Sequence, residues 1–167
     1  MNVELDSFYL VRFNDDYIGL KEEFENGRSH SSYIHNIGQR LEKSRNNKVN
    51  LFDSAFVVLD FSEAVGYLYV SNVKNDEVFL EYSILEQFRG MGYASSLINE
   101  FSDYLFEKHN IRSIRLDIDP SNKNSMNVAC ACGYVEDEEE YASRNFVGRI
   151  QFVKDSYCYN PRIRKYL

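Results

Sequence analysis

The chain has no tryptophan and only three cysteines, and no apolar run in its 167 residues approaches a membrane span. A bilayer-crossing helix needs about 18–20 consecutive apolar residues, so no membrane association is expected. The first residues, Met1-Asn2-Val3-Glu4-Leu5-Asp6, carry acids and lack the cationic start of a signal peptide. Cys130, Cys132 and Cys158 are odd in number and lack paired metal spacing. On a helix Cys130 and Cys132 fall on different faces, which suits neither a zinc site nor a redox pair. Reduced thiols in a cytoplasmic protein, with no metal, are the expectation. Positive charge is scarce, 19 Lys+Arg against 26 Asp+Glu for a net charge of −7. That balance argues against a nucleic-acid binder, whose affinity rests on phosphate contacts. It suits a cationic acceptor, although solubility is the commoner meaning of such a balance. His30, His35 and His109 show no triad or metal spacing; His109 fits a helix C-terminus, where it offsets the dipole.

What is present reads as one domain over residues 1–167, large enough to bury a core unaided. Hydrophobic residues make up 44% and charged residues 27%, ordinary for a globular protein. Thirteen Tyr and twelve Phe suit a half-buried sheet, and Tyr also suits a cleft wall. Alternation predicts a strand over 5–13, with Leu5, Phe8, Leu10 and Phe13 as its apolar set. Asn14-Asp15-Asp16 predicts a helix start, residues 26–32 a loop, and 34–43 a second helix. Residues 55–59 and 65–73 form a predicted hairpin, and 77–85 the next strand. A helix over about 90–108 carries Ala94, Leu97, Ile98, Phe101, Tyr104 and Leu105 as a stripe facing a sheet. A strand over 111–118 returns by a crossover, and a last strand covers 145–153. Glu136 to Glu140 reads as a solvated loop, with an acceptor-attracting role as the alternative.

The most informative stretch is Gln87-Phe88-Arg89-Gly90-Met91-Gly92-Tyr93-Ala94, set between the strand and the long helix. The first turn of a helix offers unpaired N–H donors and a partial positive charge, a ready seat for a pyrophosphate. No Lys follows the glycines, so this is no P-loop, and the third glycine of a dinucleotide fingerprint is missing. Gln87-x-x-Gly90-x-Gly92 at this place resembles the acyl-CoA pyrophosphate loop of the GNAT superfamily of N-acetyltransferases. One helix and one strand later come Asn122-x-x-Ser125 and Gly133-Tyr134. These are similar to the Asn-x-x-Ser helix start and Gly-aromatic ending of the same superfamily.

The resemblance implies a GNAT-like α/β fold, with a mixed sheet of six to seven strands and flanking helices. Its central parallel pair, about 78–85 and 112–118, would splay to admit acetyl-CoA. The backbone of Ile84 and Leu85 would pair with the pantetheine arm. Gln87 and the run Arg89, Gly90, Met91, Gly92, Tyr93, Ala94 would bind the pyrophosphate, with Asn122 and Ser125 at the arm or its thiol end. Without a ligand, Asn122 is a helix N-cap and Ser125 a first-turn hydroxyl. The implied activity is acetyl transfer to a primary amine, of a small molecule or a peptide, in a ternary complex. A homodimer is left open.

Such chemistry needs a base for the amine and a donor for the carbonyl oxygen, and it benefits from a proton for the leaving thiolate. Glu81 and Asp117 are equal candidates for the base, because a carboxylate on a central strand needs a partner or a task. As a structural acid, Asp117 would pair with Arg115, and Asp119 would cap the next helix. Many GNAT enzymes place a Tyr four residues after the Ser-equivalent position, and here that residue is Ala129. The departure is shared with the branch similar to ribosomal-protein N-terminal acetyltransferases. It leaves solvent, Tyr134, Tyr141 or Cys130 to protonate the thiolate. The rival readings are a catalytically silent acyl-CoA-binding module, and an unrelated α/β protein in which the glycines only form a turn.

Overall fold

The computed structural model describes residues 2–20, 22–23, 41, 44, 51–72, 76–137 and 148–156. Within them lie β1 (Val3–Glu4), β2 (Tyr9–Arg12), β3 (Ser54–Asp60), β4 (Glu63–Asn72) and β5 (Glu77–Ile84). Helix α1 (Tyr93–His109), β6 (Ser113–Ile118), α2 (Lys123–Ala131), β7 (Val135–Glu136) and β8 (Ile150–Asp155) follow. They build one eight-stranded mixed sheet in the order β1-β2-β3-β4-β5-β6-β8-β7. Six of these strands have four residues or more; β1 and β7, with two each, exceed the six or seven expected. Among the described strands only the β5–β6 pair is parallel, as a strand–helix–strand crossover requires.

The expected strand over 5–13 is instead a small hairpin. The Leu5 N–H donates to the Phe8 carbonyl at 2.8 Å, which reverses the chain and pairs Val3 with Leu10. Asn14 accepts from the Asp16 N–H at 2.8 Å and starts a 3-10 turn, Asp15–Tyr17, after which Leu20, Glu22 and Glu23 are helical, as the expected helix start requires. The helix expected over 34–43 and the loop over 26–32 lie outside the described residues, apart from the buried, helical Leu41. The last strand runs Ile150–Asp155, later than expected, with 145–147 undescribed.

Alternation divides the core in two. On one face Leu10, Phe56, Leu68, Leu80 and Leu116 pack against Leu97, Ile98, Phe101 and Leu105 of α1 and Ala129 of α2. On the other face Ala55, Val57, Tyr67 and Tyr69 pack with Phe13, Tyr17, Leu20 and Leu41. The stripe read on α1 is therefore the one it buries, and Asn110, in the left-handed region at φ 51°, ends the helix. No described helix is long and apolar enough to cross a membrane.

Candidate functional site

The parallel pair is registered from Glu77–Ser113 to Leu80–Leu116 and no further, although β5 runs on to Ile84 beside β4 and β6 to Ile118 beside β8. Each strand leaves the other to follow its antiparallel neighbour, so the sheet opens at Glu81 and Asp117. A cleft of about 890 Å³ fills the opening and reaches the start of α1.

Hydrogen bonding at the ends of β5 fixes which groups face the gap. The Asp76 carbonyl accepts from the N–H groups of Arg112 and Ser113, on the β6 side. The Leu85 N–H donates to the Val65 carbonyl, on the β4 side. Strand alternation between these points turns the backbone groups of Tyr82 and Ile84 toward the gap. The Ile84 carbonyl already accepts from Arg89 Nε at 3.0 Å, which fastens the loop to the strand end. Leu85 does not reach the cleft: its N–H serves Val65 and its carbonyl accepts from the Phe88 N–H.

At the mouth, a 3-10 turn (Glu86–Phe88) leads into Gly90 at φ 76° and Gly92 at φ 86°. Gly92 caps α1 in a left-handed conformation that side chains rarely adopt, which delays the helix to Tyr93 from the expected 90. Arg89, Gly90, Gly92, Tyr93 and Ala94 line the cleft, whereas Gln87 and the exposed Met91 stand outside its lining. The Tyr93 hydroxyl donates to Asp60 Oδ2 at 2.7 Å, tying the loop to the β3–β4 hairpin. That hydrogen bond raises the phenol pKa. These backbone donors, left-handed turns and an open helix start suit a pyrophosphate.

The two carboxylates share the face away from the helices. Glu81 accepts a hydrogen bond from the hydroxyl of the fully buried Tyr67. Asp117 meets Arg149, with Nε 3.0 Å from Oδ2 and Nη2 donating to the Asp117 carbonyl at 2.6 Å. Arg115, the partner expected for Asp117, instead pairs with Glu77 at 3.5 Å and Asp137 at 2.8 Å. Both carboxylates line the cleft, and so does Arg149.

Asn122 and Ser125 line the opposite wall. Asn122 Oδ1 accepts from the Ser125 N–H at 3.1 Å and caps α2. Asp119 accepts from the N–H and hydroxyl of Ser121 and caps no helix. The Ser125 Oγ lies 2.8 Å from the Tyr82 hydroxyl. Tyr134 is sealed behind α2, hydrogen-bonded to Ser102 Oγ at 2.7 Å, and burial pushes its pKa far up. Cys130 is exposed outside the cleft lining, and Tyr141 lies outside the described residues.

Sequence reasoning missed Tyr67, Tyr82 and Arg149. The first two were legible in principle, since Tyr82 must face opposite to its neighbour Glu81. Arg149 becomes visible only through the β6–β8 register. Among the described residues no cluster of three His, Cys, Asp or Glu side chains is placed to hold a metal.

The family described as acetyltransferase (GNAT) domain matches residues 16–135. No curated protein matches the chain by sequence. Solved structures share its fold at low identity. An acetyltransferase from Agrobacterium tumefaciens superposes with a TM-score of 0.74 at 17% identity, covering 92% of this chain and 94% of that one. A mutant of the SpeG spermidine N-acetyltransferase from Vibrio cholerae gives 0.74 at 20%, covering 94% and 98%. RimL, a ribosomal L7/L12 alpha-N-protein acetyltransferase in complex with coenzyme A, gives 0.72 at 13%, covering 91% and 98%.

Proposed function

The chain belongs to the GNAT acetyltransferase family, and from that premise we propose that it transfers an acetyl group from acetyl-CoA to a primary amine. The acceptor is a small amine or a protein N-terminus, and transfer is direct, within a ternary complex. The observation that carries this reading is the parting of β5 and β6 beyond Leu80–Leu116, over a cleft that ends at the glycine loop. Acetyl-CoA fits that site by its chemistry. Its pyrophosphate meets the N–H groups around Gly90–Ala94, with the Arg89 side chain beside them. Its pantetheine arm lies along the gap-facing backbone of Tyr82 and Ile84, and its thiol end reaches toward Asn122 and Ser125.

Of the two carboxylates, Glu81 is the better base. Asp117 is held by a guanidinium, which stabilises its charge and makes it a poor proton acceptor. Glu81 accepts from a neutral phenol, which aims the carboxylate into the cleft. A cationic amine would enter from the face where Tyr69, Glu81 and Asp117 line the cleft. Much of the acceleration comes from orienting the two substrates.

The buried Ala129 at the usual Tyr position favours a second reading, a silent acyl-CoA-binding module. Calorimetric titration with acetyl-CoA, with Gly92→Glu as control, tests the shared premise. Micromolar binding lost in the variant is the expected result; no binding by folded wild-type protein would end both readings. Turnover on a panel of primary amines then separates transferase from module.

A further inference from the structure

Among the described residues, the positions expected to protonate the leaving thiolate do not serve. Ala129 has no proton to give, Tyr134 is buried against Ser102, and Cys130 lies outside the cleft lining. A different hydroxyl stands in the cleft. Tyr82 is two residues past the last registered β5–β6 pair, just where the gap opens. Its backbone faces the gap, and its side chain points to the α1–α2 side, opposite to Glu81. Its hydroxyl meets Ser125 Oγ at 2.8 Å, and both residues line the cleft. Ser125 is itself fixed, since its N–H donates to the Asn122 cap in the first turn of α2.

We propose that Tyr82, positioned by Ser125, is the proton donor to the departing thiolate. The inference rests on the transferase reading above. Glu81 takes one proton from the ammonium, and the free amine nitrogen forms a bond to the thioester carbonyl carbon. Its second proton passes to water as the tetrahedral intermediate collapses. The C–S bond breaks and its electron pair passes to sulfur. The Tyr82 hydroxyl gives its proton to that sulfur, leaving a phenolate that accepts a hydrogen bond from Ser125. Solvent then returns a proton to the phenolate and takes the one held by Glu81. The products are the amide and the CoA thiol, with one proton released per ammonium consumed.

Two physical features favour this route. Phenols and thiols in water ionise within about two pH units of each other, so the transfer is nearly balanced. The phenolate would form beside the N-terminal turn of the nine-residue α2, where the helix dipole favours negative charge. The arrangement also separates the two proton transfers, since Glu81 and Tyr82 are consecutive on β5 and look to opposite faces of the sheet.

The test uses the full chain with acetyl-CoA and, as acceptors, spermidine and peptides with a free α-amine. Tyr82→Phe should lower kcat by about 10²-fold, within the usual range for a general acid, with the calorimetric Kd for acetyl-CoA within about threefold of wild type. Ser125→Ala should cost about tenfold in kcat. With 3-fluorotyrosine at position 82, the alkaline limb of the kcat–pH profile should move to lower pH, as a more acidic phenol demands; a purely structural role would not move it. The fluorine resonance should shift on adding CoA and much less on adding desulfo-CoA, a readout independent of turnover. Wild-type kcat in Tyr82→Phe, or equal fluorine shifts with both ligands, would overturn the proposal while leaving the transferase reading intact. A larger loss in Ser125→Ala than in Tyr82→Phe would overturn it too, by making the serine the donor. Binding of acetyl-CoA without turnover on any acceptor would overturn the transferase reading and the proposal together.

Discussion

Gly66 offers a direct test of whether the β4–β5 contact sets the cleft. It lies on β4 opposite Ile84, just past the register shift between Val58 and Leu59. Its backbone is not in the left-handed region, so its smallness is what the fold uses. A Cβ there would press on the Ser83 carbonyl oxygen and stand 3.3 Å from Ile84 Cα. Both neighbours are backbone atoms, so the strands must separate. Overpacking of this kind costs about 1–3 kcal/mol. Taking about 2 kcal/mol, Gly66→Ala should lower Tm by about 4–8 °C in a chain of this size. The strain falls on Ser83 and Ile84, which line the cleft. A misplacement of about 1 Å can cost about 10²-fold in rate, so turnover should fall more than folding stability suggests. Scanning calorimetry gives Tm, and isothermal titration with acetyl-CoA gives affinity. Gly19→Ala is the control, since a Cβ there meets nothing within 4 Å; it should stay within about 0.5 kcal/mol of wild type. Wild-type Tm and affinity in Gly66→Ala would refute the claim that β4 holds β5 at a fixed distance.

Other variants probe the carboxylates and the helix end. Glu81→Gln should lower kcat by about 10²–10³-fold and Asp117→Asn by less than about tenfold; steady-state kinetics showing the reverse order would move the base to Asp117. Arg149→Met leaves the largely buried Asp117 carboxylate without its guanidinium and should cost about 2–3 kcal/mol in urea denaturation, with at least about 1 kcal/mol recovered by adding Asp117→Asn. Burial beside Tyr104 and Phe52 lowers the pKa of His109 below its ordinary value of 6.5. The unfolded chain then binds more protons, so stability should fall as pH drops through about 6.5. His109→Gln should flatten that slope in melts at pH 5 and 7, and an unchanged slope would exclude this histidine as its source.

Most of the architecture was legible because its signals are local. The β3–β4 hairpin, the α1 stripe and the two short motifs each fix an element from within about ten residues. The left-handed glycines at 90 and 92 could be read as a turn, though not that they would hold back the helix to Tyr93. The two-residue strands were missed because two residues carry no periodicity, and Leu5 to Phe13 alternates well enough to hide a reversal at Asp6–Ser7. Glu81, Asp117, Asn122 and Ser125 were singled out by type and place, and all four line the cleft. Their partners were not found, because Tyr67, Tyr82 and Arg149 lie 14, 43 and 32 residues from Glu81, Ser125 and Asp117. Strand register brings Tyr67 to Glu81, and the packing of α2 on the sheet brings Ser125 to Tyr82. Arg115 was the expected partner of Asp117 through nearness in sequence, but Glu77 and Asp137 engage it instead.

The opening of the sheet beyond Leu80 and Leu116 has a consequence for how this molecule can change. The sheet behaves as a wall with a slot, and each side of the slot is lined by its own set of residues. Gly90, Gly92, Asn122 and Ser125 line it on the helix side, while Tyr69, Glu81, Asp117 and Arg149 line it on the other. Under the proposed transfer, substitutions at Tyr69 or Arg149 would alter the shape and charge met by an incoming amine without touching the loop at Gly90 and Gly92. On that reading, selectivity for the acceptor would be free to drift while the loop behind the wall stays as it is.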